Sequence, residues 1–442
     1  MKKVALHNLG CKVNAYETQA MEKLLSEQGY EIVPFTEEAD IYIINTCTVT
    51  NIADRKSRQM LHRAKKKNPS AIVVAAGCYV QTAEEQAKLD PAIDILVGNN
   101  RKKDIVAILE TYEADKGNRT ACLDISKTDE FEMMELGVET EHTRVNLKVQ
   151  DGCNQFCSYC IIPYARGRIR SLPKEKAIEQ VEKFVKQGFQ EVVLTGIHIS
   201  SYGKDLKEMN GNQEGADLLS LIRAVHQVEG LKRLRLGSLE PGIITEEFVR
   251  EIAALEKLCP HFHLSLQSGS RTVLERMNRR YTPEEYLDKC KLIRKFFHNP
   301  AFTTDVIVGF PGETEEEFEE SRNFLNQVDF YEVHVFKYSM RKGTKAAAME
   351  DQVGEAEKSE RSDCLIADGK VREKRYRETF IGKETWVLFE EEQERNGEQY
   401  WLGFTKEYVR VALKTEKQLK NTLINCRICG FLDEDLLIGE II

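Results

Sequence analysis

Along roughly the first 110 residues, short apolar runs alternate with longer stretches in which apolar side chains recur every three or four positions. The runs at 4–6, 31–33, 41–45, 72–76 and 93–97 predict strands, and the stretches at 15–28, 53–67 and 101–111 predict helices. Strand and helix in alternation call for a parallel sheet covered by helices. From 113 to 143 the chain is polar, acidic and without period, as a linker is. The rhythm resumes with strand patterns at 145–150, 192–196, 234–238, 263–267, 305–310 and 333–339, separated by helical ones at 174–187, 218–228, 245–255, 283–297 and 315–326. Six such units suit a barrel or a partial one, with chemistry in the loops after the strands.

Beyond a charged, helix-prone segment at 345–379, aromatic-rich alternating runs at 385–389, 400–404, 408–413, 422–426 and 436–442 predict a small antiparallel barrel, with turns at Asn396-Gly397 and near Gly430. The expected fold class is therefore α/β: an open parallel-sheet domain over 1–113, a linker over 114–140, a partial (β/α)6 barrel over 141–370, and a C-terminal antiparallel β-barrel over 371–442.

A length of 442 residues exceeds one core, and 41% hydrophobic with 31% charged residues fits a globular protein. No run approaches the ~20 apolar residues of a bilayer span. The apolar run after Lys2-Lys3 is broken at His7 and Asn8, so it reads as a strand rather than a signal peptide, and a cytoplasmic location with no membrane partner is expected. A net charge of −9 gives no global attraction to nucleic acid, so any RNA contact needs local basic patches.

Twelve cysteines in a reducing compartment point to metal or catalytic use rather than to disulfides. Cys153, Cys157 and Cys160 stand in C-x3-C-x2-C spacing directly after the strand pattern at 145–150. Iron-sulfur clusters usually take four thiolates, so three leave one iron open to a further ligand. Structural zinc is the competing reading, but it wants four closed ligands and no fourth Cys or His follows before His198. Cys11, Cys47 and Cys78 each fall just after a predicted strand, at the sheet edge where open α/β folds bind ligands. That favours a second three-thiolate site over three buried small side chains.

Gly10-Cys11-Lys-Val-Asn14, Asn45-Thr-Cys47, Gly77-Cys78, the block from Asp151-Gly-Cys153 to Pro163, Thr195-Gly196, the run from His263 to Gly269 with Gln267, and the run from Asp305 to Glu313 with Gly309 occur in this order. In that combination the chain resembles the radical S-adenosylmethionine superfamily, and within it the methylthiotransferases, over nearly its whole length. The resemblance implies two 4Fe-4S clusters. One, on Cys153, Cys157 and Cys160, binds S-adenosylmethionine and yields a deoxyadenosyl radical; the other, on Cys11, Cys47 and Cys78, is associated with sulfur delivery. Thr195, Gly196, His198, Gln267, Asp305 and Gly309 are the expected cofactor-binding positions, with tight barrel turns as the plain alternative.

Relatives act on tRNA adenosines beside the anticodon or on a ribosomal protein. The terminal barrel, with Tyr400, Trp401, Phe404 and Tyr408 among Lys406 and Arg410, resembles the RNA-binding TRAM domain that closes many methylthiotransferases, although at least half of those aromatics must be core because alternate strand positions face inward. Arg166, Arg168 and Arg170, just past the thiol triplet, are further candidates for the anticodon loop, as are Arg55 and Arg58 on a basic helix, where a solvated helix face is the plainer reading. Short motifs around Cys11, Asp54 and Arg166 look most like the group that methylthiolates C2 of N6-threonylcarbamoyladenosine at tRNA position 37; the same reaction on isopentenyladenosine is the alternative. An electron-donating protein is the other implied partner. Cys426-Arg-Ile-Cys429 is read as structural, His261 and His263 as packed or cofactor-facing rather than zinc ligands, and Cys122, Cys290 and Cys364 as isolated. A reading from another class, a non-catalytic RNA-binding protein with structural zinc, predicts colourless protein without iron.

Overall fold

A computed structural model describes all residues except 138–142, 210–216 and 396, so the expected turn residue Asn396 and the end of the 114–140 segment lie outside the described residues. The first sheet is wholly parallel. It comprises β1 (Lys3–Asn8), β2 (Glu31–Ile32), β3 (Ile41–Thr46), β4 (Ile72–Gly77), β5 (Ile95–Val97) and β6 (Thr120–Ala121), in the order β2-β1-β3-β4-β5-β6. β3 is buried along its whole length, as an apolar strand covered on both faces must be. α1 (Lys12–Glu27) and α2 (Asn51–Lys67) follow β1 and β3 directly.

The segment expected to be a linker is in part structured. β6 joins the sheet beside β5, Met134 and Leu136 are buried, and the Tyr16 hydroxyl donates to the Met134 carbonyl. The first domain therefore reaches past residue 113, because two-residue strands and isolated buried apolar positions carry no period to read.

The second unit holds the six parallel strands β7 (Arg144–Asp151), β9 (Glu191–Gly196), β10 (Arg233–Leu236), β11 (His261–His263), β12 (Ala301–Val308) and β13 (Glu332–Lys337). They form two sheets, with β8 (Arg170–Ser171) as an unanticipated antiparallel edge on β7. Isolated parallel bridges, Leu234 to Leu258 and Leu239 to Leu264, join the sheets into one partial barrel. Phe262, Leu264 and Leu266 enter the core beneath the helices, and the alternate residues His261, His263 and Gln267 face the lumen.

β14 (Glu384–Arg395), β15 (Glu398–Phe404), β16 (Arg410–Leu413), β17 (Thr422–Asp433) and β18 (Leu436–Ile441) close into the expected barrel. One pair departs from the antiparallel expectation, since β16 runs parallel to β18. On β17, Cys426 is buried and Cys429 exposed, so the two do not share a face. Two arginines of β10 fasten this barrel to the second unit: Arg233 donates to the carbonyls of Phe404 at 2.8 Å and Trp386 at 2.6 Å, and Arg235 to that of Lys406 at 2.9 Å.

Candidate functional site

β1, β3 and β4 are neighbours in the sheet, and Cys11, Cys47 and Cys78 stand at or just past their carboxyl ends. Cys11 is the N-cap of α1, and Cys78 opens a short helix directly after Gly77. A Cβ on Gly10 would lie 2.8 Å from the Cys47 Cβ and 2.9 Å from its Sγ, so only glycine lets the first loop close over the second thiol. Asn14 braces both loops, its amide donating to the carbonyls of Leu9 at 2.8 Å and Thr46 at 2.9 Å. The Asn99 amide reaches Cys78 Sγ at 3.5 Å. Burial, reinforced by the nearby Cys78 and Cys11, pushes the Cys47 thiol up to about 11.

Cys153, Cys157 and Cys160 lie in the loop that leaves β7. Burial, helped by Cys157 and Cys153, pushes the Cys160 thiol up to about 12. Burial likewise raises Cys153 to about 11. Arg279 donates to Cys157 Sγ at 3.3 Å and pairs with Glu240. His198 Nδ1 is 2.7 Å from the Ser201 hydroxyl, and its Nε2 is 3.7 Å from Glu240. Gln155, His198, Glu240, Arg279 and Tyr281 line a cavity of about 350 Å³ beside this loop.

Between the triplets lies a buried ionic network. Glu17 of α1 accepts from Lys102 at 2.7 Å, Lys148 at 2.8 Å and Arg166 at 2.7 Å. Asp151 accepts from Lys148 at 2.7 Å and Arg166 at 3.2 Å, with Arg170 at 3.5 Å. Burial alone would raise both carboxyls, but the surrounding cations outweigh it and hold them below the usual range. Even with the buried Glu132 counted, positive charge is in excess here, and Arg166 acts electrostatically on both Cys11 and Cys78. Three thiolates around an iron-sulfur cluster are the anionic group that such an excess suits. Both triplets therefore fit a cluster: Cys11, Cys47 and Cys78 by converging sheet-edge loops, the Gly10 cradle and the Arg166 charge, and Cys153, Cys157 and Cys160 by their single loop with Arg279 at Cys157.

Arg166 is thereby removed from the RNA candidates. It is 1% exposed, and its guanidinium is spent on Glu17, Asp151 and the Asn14 carbonyl oxygen of the side chain. Arg170 is equally buried. Arg168 is exposed, its guanidinium 4.9 Å from the Phe156 ring. Arg55 is exposed and Arg58 half-buried over Tyr79.

In the terminal barrel at least half of the aromatics are core, as strand alternation requires. Tyr400 and Trp401 are buried in it, and Phe404 and Tyr408 stack at 4.6 Å under the Arg144 guanidinium, at the seam with the second unit. Lys406 donates to the Glu256 carbonyl at 2.7 Å, and Arg410 lies 3.7 Å from Glu391. Phe404, Tyr408 and Lys406 thus join domains, whereas Tyr400, Trp401 and Arg410 find their partners within the barrel itself. Trp386, 56% exposed, is an open aromatic of this barrel.

Of the expected cofactor positions, Gln267 and Asp305 face the lumen beside His263, whose Nε2 is 3.3 Å from the Asp305 carboxylate. His263 Nδ1 is 3.0 Å from the Thr303 hydroxyl, itself 3.4 Å from His261 Nε2. Thr195 is buried at the end of β9. Gly196 and Gly309 have packing reasons to be glycine: a Cβ would meet the Gln150 carbonyl at 2.8 Å and the Lys358 side chain at 2.3 Å, respectively. Sequence reasoning missed Glu17, Lys102, Lys148, Glu240 and Arg279, which carry no motif spacing. Lys148 lies on the polar face of a strand that alternates polar and apolar side chains, so its burial could not be read from the pattern.

Residues 147–325 match the radical SAM superfamily, and residues 3–98 match a family described as Uncharacterized protein family UPF0004. The threonylcarbamoyladenosine tRNA methylthiotransferase MtaB of Bacillus subtilis is 42% identical over 429 residues, covering 97% of this chain and 94% of that protein. Its namesake in Aquifex aeolicus is 41% identical, over 90% of this chain and 95% of that protein. The tRNA-2-methylthio-N(6)-dimethylallyladenosine synthase of Finegoldia magna is 33% identical, over 98% and 93%. Among solved structures, the radical S-adenosylmethionine methyltransferase TsrM of Kitasatospora setae, with cobalamin and a [4Fe-4S] cluster bound, superposes with a TM-score of 0.52 at 16% identity, covering 76% of this chain and 72% of that one. That likeness concerns the fold.

Proposed function

Since this chain belongs to the methylthiotransferase family of radical S-adenosylmethionine enzymes, we propose that it methylthiolates C2 of N6-threonylcarbamoyladenosine at position 37 of tRNA. The observation that carries the reading is the pair of thiol triplets flanking one buried ionic network that joins the two domains holding them.

Cys153, Cys157 and Cys160 would hold the cluster that takes S-adenosylmethionine, and Cys11, Cys47 and Cys78 the auxiliary one. When bound, these groups supply hydrogen abstraction from an unactivated carbon, the sulfur and the methyl group. The chain's own task is to hold and orient. Asn14 and Gly10 fix the auxiliary loops, and Arg166 ties α1 to the strand that leads into Cys153. Arg279 neutralises charge at Cys157 and is itself held by Glu240. His198, Gln267 and Asp305 are the polar groups we assign to S-adenosylmethionine. The exposed Arg55 and Arg168 and the half-buried Arg58 are assigned to the anticodon-loop backbone. The electron comes from a separate donor protein.

Nucleoside mass spectrometry tests the reading. tRNA from cells lacking the protein should lose the 2-methylthio derivative of threonylcarbamoyladenosine and accumulate the unthiolated nucleoside. Loss of the methylthio-isopentenyl nucleoside instead would move the assignment to the alternative substrate.

A further inference from the structure

The amino halves of β7 and β9, Arg235 of β10, one face of α1 and the edge of the terminal barrel enclose a cavity of about 400 Å³, to which Lys12, Gln19, Arg144, Asn146, Arg235 and Tyr408 contribute. Its apolar lining is slight, from Ala15, Val145 and Val193. Lys12, Ala15 and Gln19 fall on one helical face, and Lys12 directly follows Cys11, so the helix that begins at the auxiliary triplet also lines the cavity.

Its three cations are unequally matched. Arg144 is paired with Glu390 at 2.7 Å and Arg235 with Glu191 at 2.6 Å. Glu391, which also lines the cavity, faces Arg410 at 3.7 Å. Among the described residues Lys12 has no carboxylate within 4.0 Å, although it feels both guanidiniums and its side chain is accessible. An accessible ammonium crowded by two further cations in a concave polar site is matched by an anion.

Resting on the reading above, we propose that Lys12, backed by Arg144 and Arg235, binds the carboxylate of the threonyl group and selects threonylcarbamoyladenosine over isopentenyladenosine. The two substrates differ in this respect. The threonylcarbamoyl arm offers a carboxylate, a hydroxyl and a urea to a polar cavity, whereas a prenyl arm would strip water from the same charges and return nothing.

The test uses the reconstituted enzyme with two anticodon stem-loop RNAs, one carrying threonylcarbamoyladenosine and one in which its carboxylate is converted to the neutral amide. Lys12→Met should raise KM for the acid about ten- to a hundred-fold, the scale of one charge-assisted hydrogen bond, and leave KM for the amide unchanged. Lys12→Arg should restore the acid. Because Lys12 neighbours a thiol ligand, Gln19→Glu gives an independent arm: a negative charge in the cavity should penalise the acid and not the amide. If either variant discriminates acid from amide as the wild type does, the proposal is overturned. If wild type makes no product from the acid RNA, the functional reading fails first.

Discussion

Gly10 holds a left-handed backbone, φ +105°, against the Cys47 side chain. Gly10→Ala should therefore displace one cluster and leave the other. Iron should fall to about half, one of two four-iron groups, with methylthiolation abolished and reductive cleavage of S-adenosylmethionine retained; iron analysis and product assays read both. Cys157→Ala should give the complementary result, half the iron and no cleavage. Arg166→Met leaves Glu17 and Asp151 short of a buried partner, a loss of about 3–5 kcal/mol, measured as the denaturant midpoint of the loaded protein. The six cysteines were legible as residues because spacing and position after strands mark them. Arg166 was legible only as a basic residue, and burial changed its role from phosphate contact to internal counter-charge.

At the scale of elements, the helix Glu315–Val328 begins with a capping box, Thr314 and Glu317 bonding each other's backbone. Burial opposes ionisation of Glu317, but hydrogen bonds from Arg276 and Thr272 prevail and lower its carboxyl to about 2. A folded value below the unfolded one means this stabilisation is complete above the usual Glu range, near 4.3, and is lost as pH falls toward about 2. Urea midpoints between pH 5 and pH 2 should fall less steeply for Glu317→Gln than for wild type, the variant being already weaker by about 1 kcal/mol at pH 7. Long periodic elements such as this helix were readable within a few residues. The two-residue β6 and β8 were not, since neighbours rather than their own pattern hold them extended.

For the molecule as a whole, three units are fastened by few charged groups. Arg233 spans the second unit and the terminal barrel through two backbone carbonyls. Arg233→Met should loosen that seam, seen as faster protease cleavage near 379–384 and weaker tRNA binding, with cleavage of S-adenosylmethionine in the absence of RNA unchanged. The exposed basic groups make a separate prediction. Arg168→Ala should weaken tRNA binding and reduce the slope of log affinity against log salt by about 1, the signature of one lost phosphate contact; an unchanged slope would place Arg168 outside the RNA path.

The sequence by itself determined the class of chemistry and the order of units, because thiol spacing, strand-then-cysteine placement and βα rhythm are local properties of the chain. Tertiary structure alone decided which charges are available. Arg166, Lys406, Phe404 and Tyr408 are consumed between domains, while Lys12 stands open to a cavity. The physical reason is that a charge acquires its role from partners distant along the chain, and only folding brings those partners within reach.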